Sequence, residues 1–223
     1  MKAILASHDI TMVKGGIETV EKMTSKSRKD INVAIINEAA AVEFGDQRWA
    51  VNLLTNIATN FGGNIEFVHL LAIPLEKIRE RIAAADMVLV VGGSADWQKV
   101  VFEKSGFATI VPEVLKEKLY IGSSAGSMIL GHRPSDKIYG QLYGRIVPDL
   151  GVKNFLDIFD FSILPHLYED EVGVREEWAI EESKAVTYPV YALSDKAAIV
   201  VDGDEISVIG EDYMKLFNGE NIS

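Results

Sequence analysis

The chain has 223 residues, 48% of them hydrophobic, carries a formal charge of −11 and contains no cysteine. That length can bury a core between a sheet and helices on both faces, so one domain over residues 1–223 is expected, while the missing thiols exclude disulfides, thiolate metal sites and any cysteine nucleophile. The acidity, with no Lys/Arg stripe against it, argues against nucleic acid as a partner; no run reaches the roughly 18 apolar residues of a membrane span, and MKAILASHD turns polar too early for a signal peptide, so a soluble cytoplasmic protein without a membrane partner is expected.

Short β-branched runs recur with helical patterns between them: KAILA (2–6), NVAII (32–36), IEFVHL (65–70), DMVLVV (86–91) and KLYIG (118–122). This alternation predicts an α/β fold whose mainly parallel sheet is built from βαβ units and flanked by helices. Trp49, Leu53, Ile57 and Phe61 recur at helical spacing and predict an amphipathic helix over Asp46 to Phe61; Leu75, Ile78 and Ile82 predict another over Pro74 to Ala84. Beyond about residue 135 come FSIL (161–164), a helical stretch near 171–184, and PVYAL (189–193). AAIVV (197–201) and ISVIG (206–210) then flank Asp202-Gly203-Asp204, which predicts a small C-terminal β-hairpin. The tail after Gly210 reads as a short helix or loosely ordered chain.

The run KLYIGSSAGSM places Gly122-Ser123-Ser124-Ala125-Gly126 between a predicted strand and a predicted helix. Ligands of parallel sheets gather at the carboxyl ends of the strands, and a sharp G-x-S-x-G turn there would present the Ser124 hydroxyl, with Ser123 supporting the turn or lining the pocket. The pentapeptide alone is equally compatible with a small-residue turn or a phosphate-binding helix N-terminus. A serine nucleophile needs a base. His132, eight residues on along the same predicted helix, would lie roughly 12 Å away at about 1.5 Å per residue. His166 follows FSILP, at a strand exit like that of Ser124, and is the stronger candidate. Asp195, after PVYAL, is placed to orient the imidazole. Two backbone N–H groups could form an oxyanion hole: that of Ala125, directly after the serine, and that of Gly93, in the Gly92-Gly93 turn after DMVLVV.

Together the Gly-Gly turn, KLYIGSSAGS, SILPH and YALSDKAAIVVDGDEISVIG resemble the S51 serine peptidases, the group of peptidase E (aspartyl dipeptidase) and cyanophycinase, over about residues 86 to 210. The order Ser124, His166, Asp195 fits that family, whereas an α/β-hydrolase would run serine, acid, histidine. The resemblance implies the class I glutamine amidotransferase-like, flavodoxin-like three-layer sandwich. It also implies Ser124 as nucleophile, His166 as base then acid, Asp195 as orienting acid, and the Gly93 and Ala125 amides as oxyanion hole. Asp136, in HRPSDK, falls near an aspartate that matters for peptidase E activity. Arg175, in EVGVREEW, falls where aspartyl dipeptidases carry an arginine suited to a substrate carboxylate. Where the family commonly reads Gly-Gly-Asn-Thr, this chain has Gly92-Gly93-Ser94-Ala95, so Ser94 takes a place in the loop that shapes the substrate pocket.

His8 and His69 sit near predicted strand ends as polar rim residues, and two scattered histidines imply no metal site; no cofactor is expected. The function these features predict is a serine peptidase cleaving short peptides such as dipeptides, acting as a monomer or homodimer. The alternatives are a non-catalytic small-molecule binding protein on the same fold, or an esterase or amidase with the same triad.

Overall fold

The structure, a computed structural model, describes residues 1–143, 150–168, 173–210 and 213–219. Among the described residues ten strands run in chain order: β1 (Lys2–Ala6), β2 (Val33–Ile36), β3 (Ile65–Phe67), β4 (Met87–Val90), β5 (Leu119–Ser123), β6 (Ser162–Leu164), β7 (Val190–Leu193), β8 (Ala198–Asp202), β9 (Glu205–Ile209) and β10 (Met214–Phe217). The α-helices are α1 (Gly16–Thr24), α2 (Arg48–Asn60), α3 (Leu75–Ala84), α4 (Ala95–Lys104), α5 (Val111–Glu117), α6 (Ala125–Met128), α7 (Asp136–Tyr143) and α8 (Glu176–Ala185). Among the described residues no helix is long and apolar enough to cross a membrane.

The main sheet has seven strands in the order β3-β2-β4-β5-β1-β8-β9. The first five are parallel; β8 runs antiparallel to β1, and β9 antiparallel to β8. Its central strands are apolar on both faces because both are covered. In β4, Val88 and Val90 face a core shared with α3, α4 and α5, while Met87 and Leu89 face a second core under α1 and α2. The period-two alternation of a strand makes one run of four apolar residues serve two layers, and each fully buried aliphatic side chain contributes roughly 1.5–3 kcal/mol.

The predicted hairpin exists, with Asp202 paired to Glu205 and Gly203 at φ +66°. It is continuous with the main sheet, because β8 also pairs along β1. FSIL and PVYAL instead supply β6 and β7 of a separate three-stranded sheet, order β10-β7-β6. Its third strand corrects the expectation for the tail: Met214–Phe217 pairs antiparallel with β7, and Met214 and Leu216 pack on the core while Lys215 is exposed. The tail is therefore a strand because it covers the open edge of β7.

Three other expectations are trimmed. β3 ends at Phe67, short of the predicted His69 and Leu70, and lies at the edge of the sheet. The helix after Ser124 spans only four residues before the chain turns, and His132 N–H donates to the Phe161 carbonyl, so one continuous helix from Ser124 to His132 does not form. The predicted helix near 171–184 is α8, starting at Glu176; residues 171 and 172 lie outside the described residues.

Candidate active site

β5 ends in the middle of the sheet, between β4 and β1, and the chain then reverses at Ser124 with φ +49° and ψ −112°. A non-glycine residue there costs on the order of 1–3 kcal/mol and persists only where its surroundings fix it. Three hydrogen bonds do so. Ser124 N–H donates to the Ala6 carbonyl at 3.0 Å, Ser127 Oγ donates to the same carbonyl at 2.7 Å, and the Tyr120 hydroxyl donates to the Gly126 carbonyl at 2.7 Å. Tyr120 is wholly buried, and burial pushes its phenol far up, so it stays a neutral donor. Both glycines of the turn are steric necessities. A Cβ at Gly126 would lie 2.1 Å from the Val90 carbonyl oxygen, and one at Gly122 would lie 2.6 Å from the Gly126 backbone. The small residues therefore let α6 settle directly onto β4 and β5, which leaves Ser124, and not the buried Ser123, at the turn's apex.

His166 follows β6 and Pro165 and belongs to the second sheet, yet it reaches Ser124. Its Nε2 is 2.9 Å from Ser124 Oγ, and its Nδ1 is 2.7 Å from Asp195 Oδ1. Asp195 lies in the connection that leaves β7 and enters β8. Burial pushes its carboxyl up, but the hydrogen bond and charge of His166, with smaller contributions from His8 and Ser7, outweigh that and hold it below the ordinary carboxylate range. An ionised Asp195 can only accept, so His166 Nδ1 donates and Nε2 is left to accept from the Ser124 hydroxyl. The relay is enclosed without being sealed: Ser124 is 6% exposed, and the side chains of His166 and Asp195 are 15% and 22% exposed.

The Gly92-Gly93 turn packs against the serine. A Cβ built on Gly92 would be 3.7 Å from Ser124 Oγ. Gly93 has φ +126° and presses on the Ala39 backbone, where any Cβ would collide at 2.3 Å. Ser94 N–H donates to the Ala39 carbonyl, and its hydroxyl accepts from Trp97 N–H at 3.1 Å, capping α4. Ser94 is fully buried, so it fixes the turn from behind. Ala125 is the first residue of α6, a position whose N–H has no intrahelical acceptor.

The structure thus gathers Ser124, His166, Asp195, Gly93 and Ala125. It does not gather the rest. Asp136 opens α7 on the surface, 68% exposed and paired with Arg133 and Lys153. Arg175 is exposed at the N-cap of α8, in the segment whose Val174 pairs with His166 and Tyr168 through the backbone. His132 sits between Asp157 and Asp160 and stacks on Tyr188. His69 stacks on Phe67 at the far edge of the sheet. His8 does line the cleft, with its ring 6.1 Å from that of His166 and 6.5 Å from that of Trp49. Among the described residues no group of His, Asp and Glu side chains is arranged to hold a metal ion.

Two neighbours escape a reading of the sequence. Ser7, at the carboxyl end of β1, is bonded to both Asp195 and the His166 backbone; the available signal was a polar residue leaving the strand beside β5. Burial pushes the carboxyl of the half-buried Glu43 up, with Trp49 and His166 acting the other way. No spacing in the sequence marks it.

Residues 4–209 match the model of a family described as peptidase family S51. An uncharacterized peptidase of Listeria monocytogenes serovar 1/2a is 27% identical over 135 residues, covering 59% of this chain and 64% of that protein, just under two thirds of its length. A crystal structure from Listeria monocytogenes EGD-e, of a protein provisionally described as peptidase E, superposes with a TM-score of 0.74 at 20% identity, covering 93% of this chain and 96% of the other. A peptidase from an acI-B1 Actinobacterium superposes with a TM-score of 0.67 at 15% identity, covering 94% and 87%. At those identities the two structures speak for the fold, a mostly parallel seven-stranded sheet between helices. With the family model spanning all but the ends of the sequence, the chain belongs to peptidase family S51.

Proposed function

We propose that the protein is a serine-type peptidase that hydrolyses short peptides, dipeptides among them, through an acyl-enzyme. The observation that carries this reading is the unbroken relay from Ser124 Oγ through His166 to Asp195, at 2.9 and 2.7 Å, set at a strained strand-to-helix turn. His166 Nε2 takes the Ser124 proton as Oγ attacks the scissile carbonyl, and the N–H groups of Gly93 and Ala125 receive the developing oxyanion. His166 then gives that proton to the leaving amine. A water attacks the ester, again with His166 as base, and the tetrahedral intermediate collapses to release the acid and restore the serine. Asp195 remains ionised and stabilises the imidazolium.

The test is hydrolysis of a dipeptide panel, containing Asp-X, other X-X and N-blocked members, by wild type and Ser124→Ala. Serine-dependent release of amino acids, reduced by several orders of magnitude in Ser124→Ala, supports the reading. Equal turnover by both proteins refutes it. Turnover of simple esters but of no peptide reassigns the relay to an esterase.

A further inference from the structure

We propose that Ser7 is a fourth, positioning member of the relay, whose hydroxyl holds the His166 backbone and the Asp195 carboxylate in one frame. The inference rests on the serine-peptidase reading above and extends it to a residue outside the triad.

The direction of each hydrogen bond follows from what the groups can do. Ser7 Oγ lies 2.7 Å from His166 N and 2.9 Å from Asp195 Oδ1. A backbone N–H can only donate, so Ser7 accepts from His166. The single hydroxyl hydrogen is then available to the carboxylate, which can only accept. Asp195 Oδ1 therefore receives two donors, the Ser7 hydroxyl and His166 Nδ1–H, the second at 2.7 Å. The Ser7 hydroxyl cannot turn away without leaving its hydrogen unpaired, because Ser7 is wholly inaccessible to solvent.

The backbone gives the same bond a second task. His166 has φ +62°, a left-handed conformation that a histidine adopts at a cost, and the bond from its N–H to Ser7 holds it there. Ser7 itself is anchored through its N–H to the Ala197 carbonyl at 3.3 Å, just beyond Asp195 in the chain. One hydroxyl thus ties the exit of β1, beside the nucleophile's strand, to both relay partners that arrive from the second sheet.

The test compares wild type with Ser7→Ala and Ser7→Cys, the latter keeping the side-chain volume with a much weaker donor. Two readouts are taken, both free of any need for the natural substrate: the rate at which a fluorophosphonate labels Ser124, and the titration of the Asp195 carboxyl followed by carbon-13 NMR. A hydrogen bond to a charged group being lost, labelling by Ser7→Ala should slow about 10- to 100-fold. Asp195 should titrate at higher pH than in wild type, since a donor to its anion has gone. Ser7→Cys should fall between the two, and on peptides the loss should lie in kcat with KM unchanged. Labelling within about twofold of wild type, or slowed labelling with the Asp195 titration unmoved, overturns the proposal and leaves Ser7 a packing role. Should Ser7→Ala not fold, Ser7→Cys is held to the same two criteria. A wild type that no fluorophosphonate labels counts against the serine-peptidase reading, while the titration still decides the part played by Ser7.

Discussion

Asp195→Asn is the most informative single substitution at the relay. In serine peptidases of the chymotrypsin type an asparagine at the acid position costs on the order of 10⁴ in kcat, because its amide group donates to the histidine and selects the wrong tautomer. Here the amide is not free to turn. Asp195 Oδ1 accepts from the Ser7 hydroxyl at 2.9 Å, and Ser7 is itself committed as acceptor to His166 N–H at 2.7 Å. An asparagine that turned its NH₂ toward Ser7 and His166 would strand the Ser7 hydrogen in a buried site, at a cost of about 1–3 kcal/mol. With its oxygen in place of Oδ1, the NH₂ occupies the Oδ2 position instead, on a side chain that keeps 22% of its surface exposed. The tautomer should therefore survive, and the loss should be that of the negative charge alone. With charge centres about 4 Å apart and an effective dielectric constant near 20, that charge is worth about 4 kcal/mol to the imidazolium, or roughly 10³ in rate.

Rate alone separates these two cases poorly, so the deciding assay is nitrogen-15 NMR of His166 in Asp195→Asn. Nε2 should remain unprotonated and Nδ1 protonated at a pH where the ring is neutral. The double variant Ser7→Ala/Asp195→Asn frees the amide to turn, and its imidazole should shift toward the Nε2–H form with a further fall in rate. Finding Nε2 protonated in Asp195→Asn alone would refute the reasoning, since the Ser7 hydroxyl would then have failed to hold the amide oxygen.

Three further substitutions test the scaffold. Gly126→Ala drives a Cβ to within 2.1 Å of the Val90 carbonyl oxygen, so it should cost at least about 1–3 kcal/mol by calorimetry and reduce labelling of Ser124; wild-type stability and reactivity together would contradict the close-approach argument. Asp96→Ala should destabilise by about 1–3 kcal/mol, because it removes the buried acceptor of the Arg133 side chain, the two being 1% and 7% exposed, while Asp136 still accepts from Arg133 on the solvent side. Asp136→Ala, removing the exposed partner of the same arginine, should change stability by no more than about 1 kcal/mol; equal costs for the two would refute the assignment of Asp96 as the partner that matters.

The parts of this molecule that announce themselves in the sequence are those whose physics is local. VAII and MVLV read as strands because four successive apolar residues meet two buried faces, and G-x-S-x-G reads as a turn because Gly122 answers the Gly126 backbone four residues on, although Gly126 itself answers the distant Val90. His166 and Asp195 were legible from position alone, each following a β-branched run, although the sheet that carries them is not the one that carries Ser124. What stayed hidden depends on distant partners. Ser7 finds its two at separations of 159 and 188 residues, and a lone serine after a strand carries no mark of that. Asp96 and Arg133 look like surface charges until the fold buries them against each other. Met214–Phe217 is a strand only because β7 offers it an edge.

The relay is drawn from two sheets, and this decides what must be rigid. Ser7 and Ser124 leave neighbouring strands of the main sheet, while His166 leaves β6 of the second. Asp195 stands on the four-residue bridge between them, Ser194 to Ala197, where β7 hands the chain to β8. Both ends of that bridge are fastened: Ser194 N–H donates to the Tyr213 carbonyl just before β10, and Ala197 accepts from Ser7 N–H as β8 begins to pair with β1. A sliding of one sheet over the other by an ångström would open the His166 contact to Ser124, and a displacement of that size can cost about 10²-fold in rate. The small sheet and its third strand are thus part of the chemistry: β10 closes the edge of β7, β7 fixes the bridge, and Ser7 reads the position of both relay partners from the side of the nucleophile.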